Sequence, residues 1–403
     1  MQPLYVCWDG LVIFVQEREF VTMKLNHIVI AIDSFKGSLS SLAAGQAAQE
    51  AVLAALPEAV VEVFPLADGG EGTVDTLVEG LQGTIVPTTV TGPLATPVAS
   101  RYGRVPEAGL AVIEMADAAG LTKVPLAKRN PLYTTTYGLG ELILQAMEDG
   151  CRDFIIGIGG SATNDCGLGM LTAFGWKFYK ADGKLAGICG GNLTDVAAID
   201  GSQVDERLKE CRFRIACDVT NPLYGEQGCS VVFGPQKGAS EEIVKSMDEA
   251  IHRFADLVER MLPAQGANVP GAGAAGGLGF AFQTFLGGEL IPGTELCLET
   301  IGIRRALKTA DLLITGEGRM DGQTAMGKGP AGVGKLAHAL HAQVKTVAVC
   351  GCALPDAELV NQHGIDAYFP ILHMPMTVEE AMEEKTTRLN LKQTVTQILR
   401  LLK

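Results

Sequence analysis

HIVIAIDSFKGSLS, residues 27–40, opens with a run rich in β-branched side chains and then turns abruptly polar. That change predicts a buried strand over 27–32 running into a polar loop, since branched residues suit a pleated, packed surface. Ser40 stands where a helix cap belongs. Beyond it Leu42, Val52, Leu53 and Leu56 mix with alanines until Pro57 stops the helix. Residues 60–66 read as a second strand and 73–81 as a second helix, and a β-α-β-α succession builds a parallel sheet.

The texture changes at Thr84, where TIVPTTVTG, PVASRYGRV and LAVIEMA are short, turn-bounded strands that suggest an antiparallel portion. A helix over 135–148, the apolar strand FIIGI (154–158), a glycine-rich loop and the strand FRIACDV (213–219) make this portion α/β as well. From Ala310 the parallel pattern resumes: DLLITG, a helix around 332–341, TVAVCG, a helix near Ala357, DAYFPI and a terminal helix. The expected architecture is α/β, a doubly wound parallel-sheet domain made of residues 23–85 and 300–403 with a second α/β domain, 86–299, inserted into it. The chemistry belongs in the cleft between them. The apolar run 11–15 is too short for a secretory signal, and residues 1–22 read as a dispensable N-terminal extension, because KLNHIVIAIDSFKGS after Met23 starts a buried strand that needs nothing upstream.

Composition narrows the function. Lys and Arg number 32 against 46 Asp and Glu, a net charge of −14, which repels a nucleic-acid backbone. A small anionic ligand is still admissible, because a few lysines and helix N-termini make a local positive site. Mean hydropathy is positive, yet the uncharged stretch 261–288 carries two prolines and eight glycines, a poor membrane span. The ten cysteines are scattered without paired CxxC spacing, which argues against a zinc site and suits a reducing cytoplasm.

Six polar, glycine-rich segments fall where predicted strands end or helices begin, the place where open α/β sheets bind ligands. They are DSFKGS (33–38), DGGEGT (68–73), GIGGSATND (157–165), CDVTNPL (217–223), FGPQKGA (233–239) and TGEGRMDGQT (315–324). GQTAMGKG (322–329) has P-loop spacing, but Gly329 stands where a hydroxyl would meet magnesium. GAGAAG (271–276) has dinucleotide-fingerprint spacing but follows LPAQGANVP and no strand. An NAD-dependent oxidoreductase would have to rest on that weak match.

IDSFKGSLS, LADGGEGTVD, GIGGSATND, CDVTNPLYG, VFGPQKGA, GAGAAGGLG and TGEGRMDGQT, in this order, resemble the bacterial glycerate kinases of the class that includes the glycerate 2-kinases. The likeness runs from Lys24 to near the C-terminus. Its departures are Ile32 for a usual proline, Cys166 for a glycine, and Cys229 and Ser230 for alanine-like residues. The resemblance implies a flavodoxin-like domain with a second α/β domain inserted, ATP and Mg²⁺, and transfer of the γ-phosphoryl group to the 2-hydroxyl of D-glycerate. It implies a cytoplasmic enzyme of glycerate, glyoxylate or sugar-acid catabolism with small-molecule partners only. The alternatives are a kinase yielding 3-phosphoglycerate and a sensor that binds without turnover.

Phosphoryl transfer requires positive charge on the moving group, a metal across phosphate oxygens and a carboxylate to orient the attacking hydroxyl. Lys36, between Ser34 and Ser38, is placed for phosphate or the glycerate carboxylate; its ordinary alternative is a solvated loop lysine. Asp33 ends a strand and suits a metal or the orientation of that lysine. Asp68 and Glu71 are further metal candidates beside Gly69, Gly70 and Thr73, although Asp68 also suits a helix cap. Gly160, Ser161, Thr163 and Asn164 form a candidate anion cradle with Asp165 at its rim. Asp218 is a metal candidate and Asn221 a binding one, while Gln236 and Lys237 are placed for either ATP or glycerate. Glu317 reads as a metal ligand and Asp321 as a metal ligand or general base, beside Gly316, Gly318 and the phosphate candidate Lys328. Lys36, Asp165 and Asp321 are thus the expected catalytic set.

Overall fold

The computed structural model describes residues 4–8, 11–15, 24–262, 266–327 and 329–403. Near the N-terminus, Leu4–Trp8 and Leu11–Val15 pair as an antiparallel ribbon.

Five parallel strands form the first sheet, in the spatial order Ala367–Pro370, Lys345–Ala353, Leu312–Met320, His27–Ile32, Val60–Val63. Ranked along the chain this is the flavodoxin-like order, in which the strand order reverses between the first and third members. Ser40 caps the helix Ser41–Ala55, its hydroxyl accepting from the Ala43 N–H at 3.2 Å. That helix and Glu384–Leu402 cover one face through Ala44, Ala48, Leu391 and Val395. Gly329–Leu340 covers the other, through Val333 and Ala337.

Six strands form the second sheet, ordered Glu289–Ile291, Arg212–Ala216, Asp153–Gly157, Leu110–Glu114, Pro97–Val105, Thr84–Thr91. The first four run parallel, and the last two are attached antiparallel. Both the antiparallel portion from Thr84 and the α/β character of the remainder match the sequence reading. Phe154, Phe213, Phe280 and Phe282 are among the fully buried side chains of its core.

Three local departures bear on the site. Thr73–Gly80 packs through Val74, Leu77 and Val78 against Val105, Val112 and Ile155 of the second sheet, whereas the sequence reading set it beside the first. Leu312–Met320 continues as a strand through Gly316, Glu317, Gly318 and Arg319, paired to Lys345–Ala353 as far as Met320 opposite Ala353. Glycines that look like a loop are here close-approach positions, for a Cβ on Gly316 would lie 2.0 Å from the Val349 carbonyl oxygen. In GAGAAGG, Ala275, Gly276 and Gly277 take φ of 52°, 70° and 92°. The turn they make presses on GSATND, with a Cβ on Gly276 falling 2.1 Å from the Thr163 oxygen. The segment is a packing device between loops. Cys166, where the resemblance expects glycine, likewise holds a left-handed φ of 49°.

Candidate active site

A cavity of about 730 Å³ opens at the carboxyl end of the first sheet. Asp33 follows the strand His27–Ile32, Glu317 lies on Leu312–Met320, and Cys352 lies on Lys345–Ala353. Asp33 and Glu317 therefore flank the crevice where the strand order reverses, the usual ligand position of such sheets. Leu372, Val378, Ala381 and Met382 supply an apolar wall from the C-terminal segment. Lys36 is exposed at the tip of a tight turn closed by paired backbone hydrogen bonds between Phe35 and Leu39. Ser34 and Ser38 line the same cavity, and Ser38 shares a 2.6 Å hydrogen bond with the Thr387 hydroxyl.

The carboxylates here repel one another. Burial pushes the Glu317 carboxyl up to about 7, with Asp33, Asp321 and Asp68 adding to the rise and a 2.6 Å hydrogen bond from Thr324 opposing it. Burial likewise pushes Asp33 up to about 6, against the Ser34 N–H at 2.6 Å and the Lys36 charge, with Asp68 adding to the rise. Asp321 is committed locally: it accepts from the Gln323 N–H at 2.9 Å at the start of the short helix Gly322–Ala325 and lies 3.4 Å from Arg319.

The second cavity, of about 420 Å³, opens at the carboxyl end of the second sheet. Gly159, Gly160 and Ser161 follow the strand Asp153–Gly157, and Asp218 follows Arg212–Ala216, with Gly69, Gly70, Gln236 and Lys237 completing the wall. Lys237 is only 2% exposed. Its ammonium donates to the Thr163 carbonyl at 2.6 Å, and burial lowers its pKa to about 8. Asp218 also borders a third cavity, of about 650 Å³, and accepts from the Gly293 N–H at 2.9 Å.

Asp68 belongs to the walls of both the first and the second cavity. Its carboxylate accepts from the Gly70 N–H at 2.9 Å. It does not cap the helix Thr73–Gly80, because Glu114 takes that duty, accepting from Gly72 and Val74 at 3.0 and 2.9 Å. Glu114 escaped the sequence reading because only the folded second sheet brings the end of Leu110–Glu114 under that helix. Arg319, a second cation in the first cavity, was missed although it sits inside a quoted motif. Read as a strand, GEGRM puts positions 317 and 319 on one face.

Several expected residues lie elsewhere. Asp165 has no exposed surface. It accepts from the Thr136 N–H and hydroxyl at 2.9 and 2.8 Å and from the Gly167 and Gly169 N–H groups at 3.1 and 3.3 Å. A carboxylate so bonded ties loops together, and Asp165 lines neither of the two cavities, which argues against the base position expected for it. Burial pushes its carboxyl up while those donors pull it down. Thr163 and Asn164 are buried behind the cavity, Asn164 donating to Ser230 at 2.9 Å. Thr73 is buried in the first turn of its helix, and Gly316 lies in the strand beneath the first cavity. Glu71 is exposed, Asn221 donates to the Gln227 carbonyl at 2.9 Å, and neither borders a cavity described above. Lys328 lies outside the described residues.

Among the described residues no group of three or more His, Cys, Asp or Glu is close enough to hold a metal ion. Asp33 and Glu317 nonetheless fit the chemistry of magnesium, which is commonly held by one or two carboxylates plus substrate phosphates. Their mutual repulsion is the charge such an ion would relieve.

The family model described as "Glycerate kinase family" matches residues 28–403. The chain belongs to the glycerate kinase family. Membership confirms the enzyme class expected from the motifs, a kinase of the glycerate family. The sequence is 46% identical over 360 residues to a glycerate kinase of Halalkalibacterium halodurans, covering 89% of this chain and 94% of that one. It is 46% identical over 354 residues to the glycerate 2-kinase of Escherichia coli K12, covering 88% and 92%. The crystal structure of a Salmonella typhimurium LT2 protein assigned as glycerate kinase 2 superposes with a TM-score of 0.86 at 42% identity, covering 94% of this chain and 98% of that one. The two-domain α/β architecture of this glycerate kinase family member is thus shared by a solved relative. No helix among the described residues is long and apolar enough to cross a membrane.

Proposed function

We propose that this glycerate kinase family member moves the γ-phosphoryl group of ATP to the 2-hydroxyl of D-glycerate, with Mg²⁺ accompanying the nucleotide. The single observation that carries the reading is Asp68. A carboxylate in the shared wall of two cavities, each at the carboxyl end of its own sheet, stands where a group must cross from one ligand to the other. Asp68 takes the place that the motifs suggested for Asp165 or Asp321.

In this reading Lys36 and Arg319 set positive charge on the phosphates, where developing charge is stabilised by groups already in place. Asp33 and Glu317 would hold the magnesium ion, which screens phosphate oxygens when bound. Asp68 orients the glycerate hydroxyl and accepts its proton as the new O–P bond forms and the bond to the leaving ADP oxygen breaks. The two lobes that meet at Asp68 are residues 24–66 with 304–403, and 73–291, with the segments between them as connectors. A reducing, cytoplasmic setting fits the nine cysteines from Cys151 to Cys352, which are unpaired.

The test is an assay of the purified protein with ATP, Mg²⁺ and D-glycerate, with phosphorus NMR of the product. 2-Phosphoglycerate is expected; 3-phosphoglycerate would move the transfer to the other hydroxyl, and ligand binding without product would make the protein a sensor.

A further inference from the structure

The second cavity contains a charge that the rest of the protein leaves unanswered. Lys237 is 98% withdrawn from solvent yet has no carboxylate within ion-pair distance among the described residues; its hydrogen-bond partner is the neutral Thr163 carbonyl. An ammonium carries three donors, and among the described residues only one of them has a partner. A buried cation without an anion is costly, and its site favours whatever ligand supplies one. Asp165 is near enough to be felt electrostatically, but its oxygens are taken up by Thr136, Gly167 and Gly169.

Two anions meet in the reaction, a polyphosphate and a carboxylate, and the two cavities differ in what they can take. The larger has an apolar wall that includes Leu372, Val378 and Met382 and suits a base, two cations in Lys36 and Arg319, and, besides Asp68 and Asp321, the two carboxylates suited to magnesium, Asp33 and Glu317. The smaller has a glycine-rich wall, one hydroxyl in Ser161, one amide in Gln236, one buried cation, and two carboxylates, Asp68 and Asp218, the second already accepting from the Gly293 N–H. Lys237 is the one cation among the described residues that line it, enough for a single carboxylate and too little for a polyphosphate, while its carboxylates and polar groups can accept from the hydroxyls of a three-carbon acid.

Resting on the function proposed above, we infer that Lys237 anchors the carboxylate of the acceptor, so that the smaller cavity receives the hydroxy acid and the larger one the nucleotide. Binding there places the acceptor's hydroxyls toward Asp68, on the wall shared with the phosphates.

The experiment compares the wild-type full-length protein with Lys237→Met and Lys237→Arg. KM is measured separately for ATP and D-glycerate, and circular dichroism verifies the fold. Lys237→Met is expected to raise the KM for D-glycerate at least tenfold while leaving that for ATP within about twofold, and Lys237→Arg to recover part of the loss. With glyceramide, which has the same hydroxyls and no charge, wild type and Lys237→Met should bind equally weakly. A rise in KM for ATP instead, or an equal penalty on D-glycerate and glyceramide, overturns the inference. If Lys237→Met does not fold, Gln236→Ala and Ser161→Ala provide the same split: raised KM for D-glycerate supports the assignment, and raised KM for ATP refutes it. Should the wild type form no phosphoglycerate, the proposed function falls, and calorimetric binding of D-glycerate to wild type and Lys237→Met still decides the anchor.

Discussion

Asp33 and Glu317 show how far a side chain's task can be read before folding. Both were legible as strand-end carboxylates in glycine-rich segments and line the first cavity, whereas Asp165 looked equally available and is buried among donors, because hydrogen-bond partners 29 positions away are invisible in a motif. Their elevated pKa values have a thermodynamic consequence. The native state holds protons on these groups more tightly than the unfolded chain does, so their contribution to stability falls as pH rises from about 4 through 7. Asp33→Asn or Glu317→Gln should therefore raise thermal stability at pH 8 by an amount on the order of 1–3 kcal/mol. The gain should shrink at pH 4.5, as unfolding scans at the two pH values will show, and turnover should fall. Lys36→Ala should lower kcat/KM at least tenfold, or about 1.4 kcal/mol, with an unchanged circular dichroism spectrum. Asp165→Asn, by contrast, places an amide donor among donors and should lower unfolding free energy by about 2 kcal/mol or more, measured in urea. Retention of wild-type stability would return Asp165 to the list of chemical groups.

Among the elements, the central parallel strands were legible from their branched, uninterrupted apolar runs, and the helix Ser41–Ala55 from its cap and its proline stop. What escaped was wherever glycine serves contact between backbones and not a turn. The strand Leu312–Met320 runs four residues past the point where GEGRM looked like a loop, and it is the paired neighbour Lys345–Ala353 that holds it extended. The helix Thr73–Gly80 was visible as a helix, but which sheet it covers depends on Val105, Val112 and Ile155, which lie in strands formed later in the chain. The three consecutive left-handed residues beginning at Ala275 carry a cost of their own, since a side chain at φ 52° is strained and glycine is not. Ala275→Gly should raise the melting temperature, by an amount equivalent to about 1 kcal/mol. Gly276→Val, driven against the Thr163 carbonyl, should abolish soluble expression.

Seen whole, the molecule sets two sheets with their carboxyl ends toward a common carboxylate, Asp68, each bringing its own cavity. That division was legible as a change of texture at Thr84 and a return at Ala310. Its edges were not, because the helices Thr73–Gly80 and Gly293–Thr300 serve contacts rather than sequence continuity: Leu296 packs with the second sheet's cluster and Leu298 with the first's. Occupation of both cavities should draw the two units together and exclude water from the transfer. Small-angle scattering with D-glycerate and a non-hydrolysable ATP analogue should then report a smaller radius of gyration than with either alone, and an identical value would show a cleft already closed.

The central strand His27–Ile32 is held on one side by chain that comes much later: the His27 N–H donates to Asp311, 284 positions on, at 2.9 Å. During synthesis, at roughly 5–20 residues per second, the emerging polypeptide must keep that apolar strand unsatisfied on one edge for many seconds while the intervening unit is completed. The ribosome thus delivers the inserted half as an intact body before the half that encloses it can close, and chaperones that shield exposed strand edges should engage this protein early in its translation.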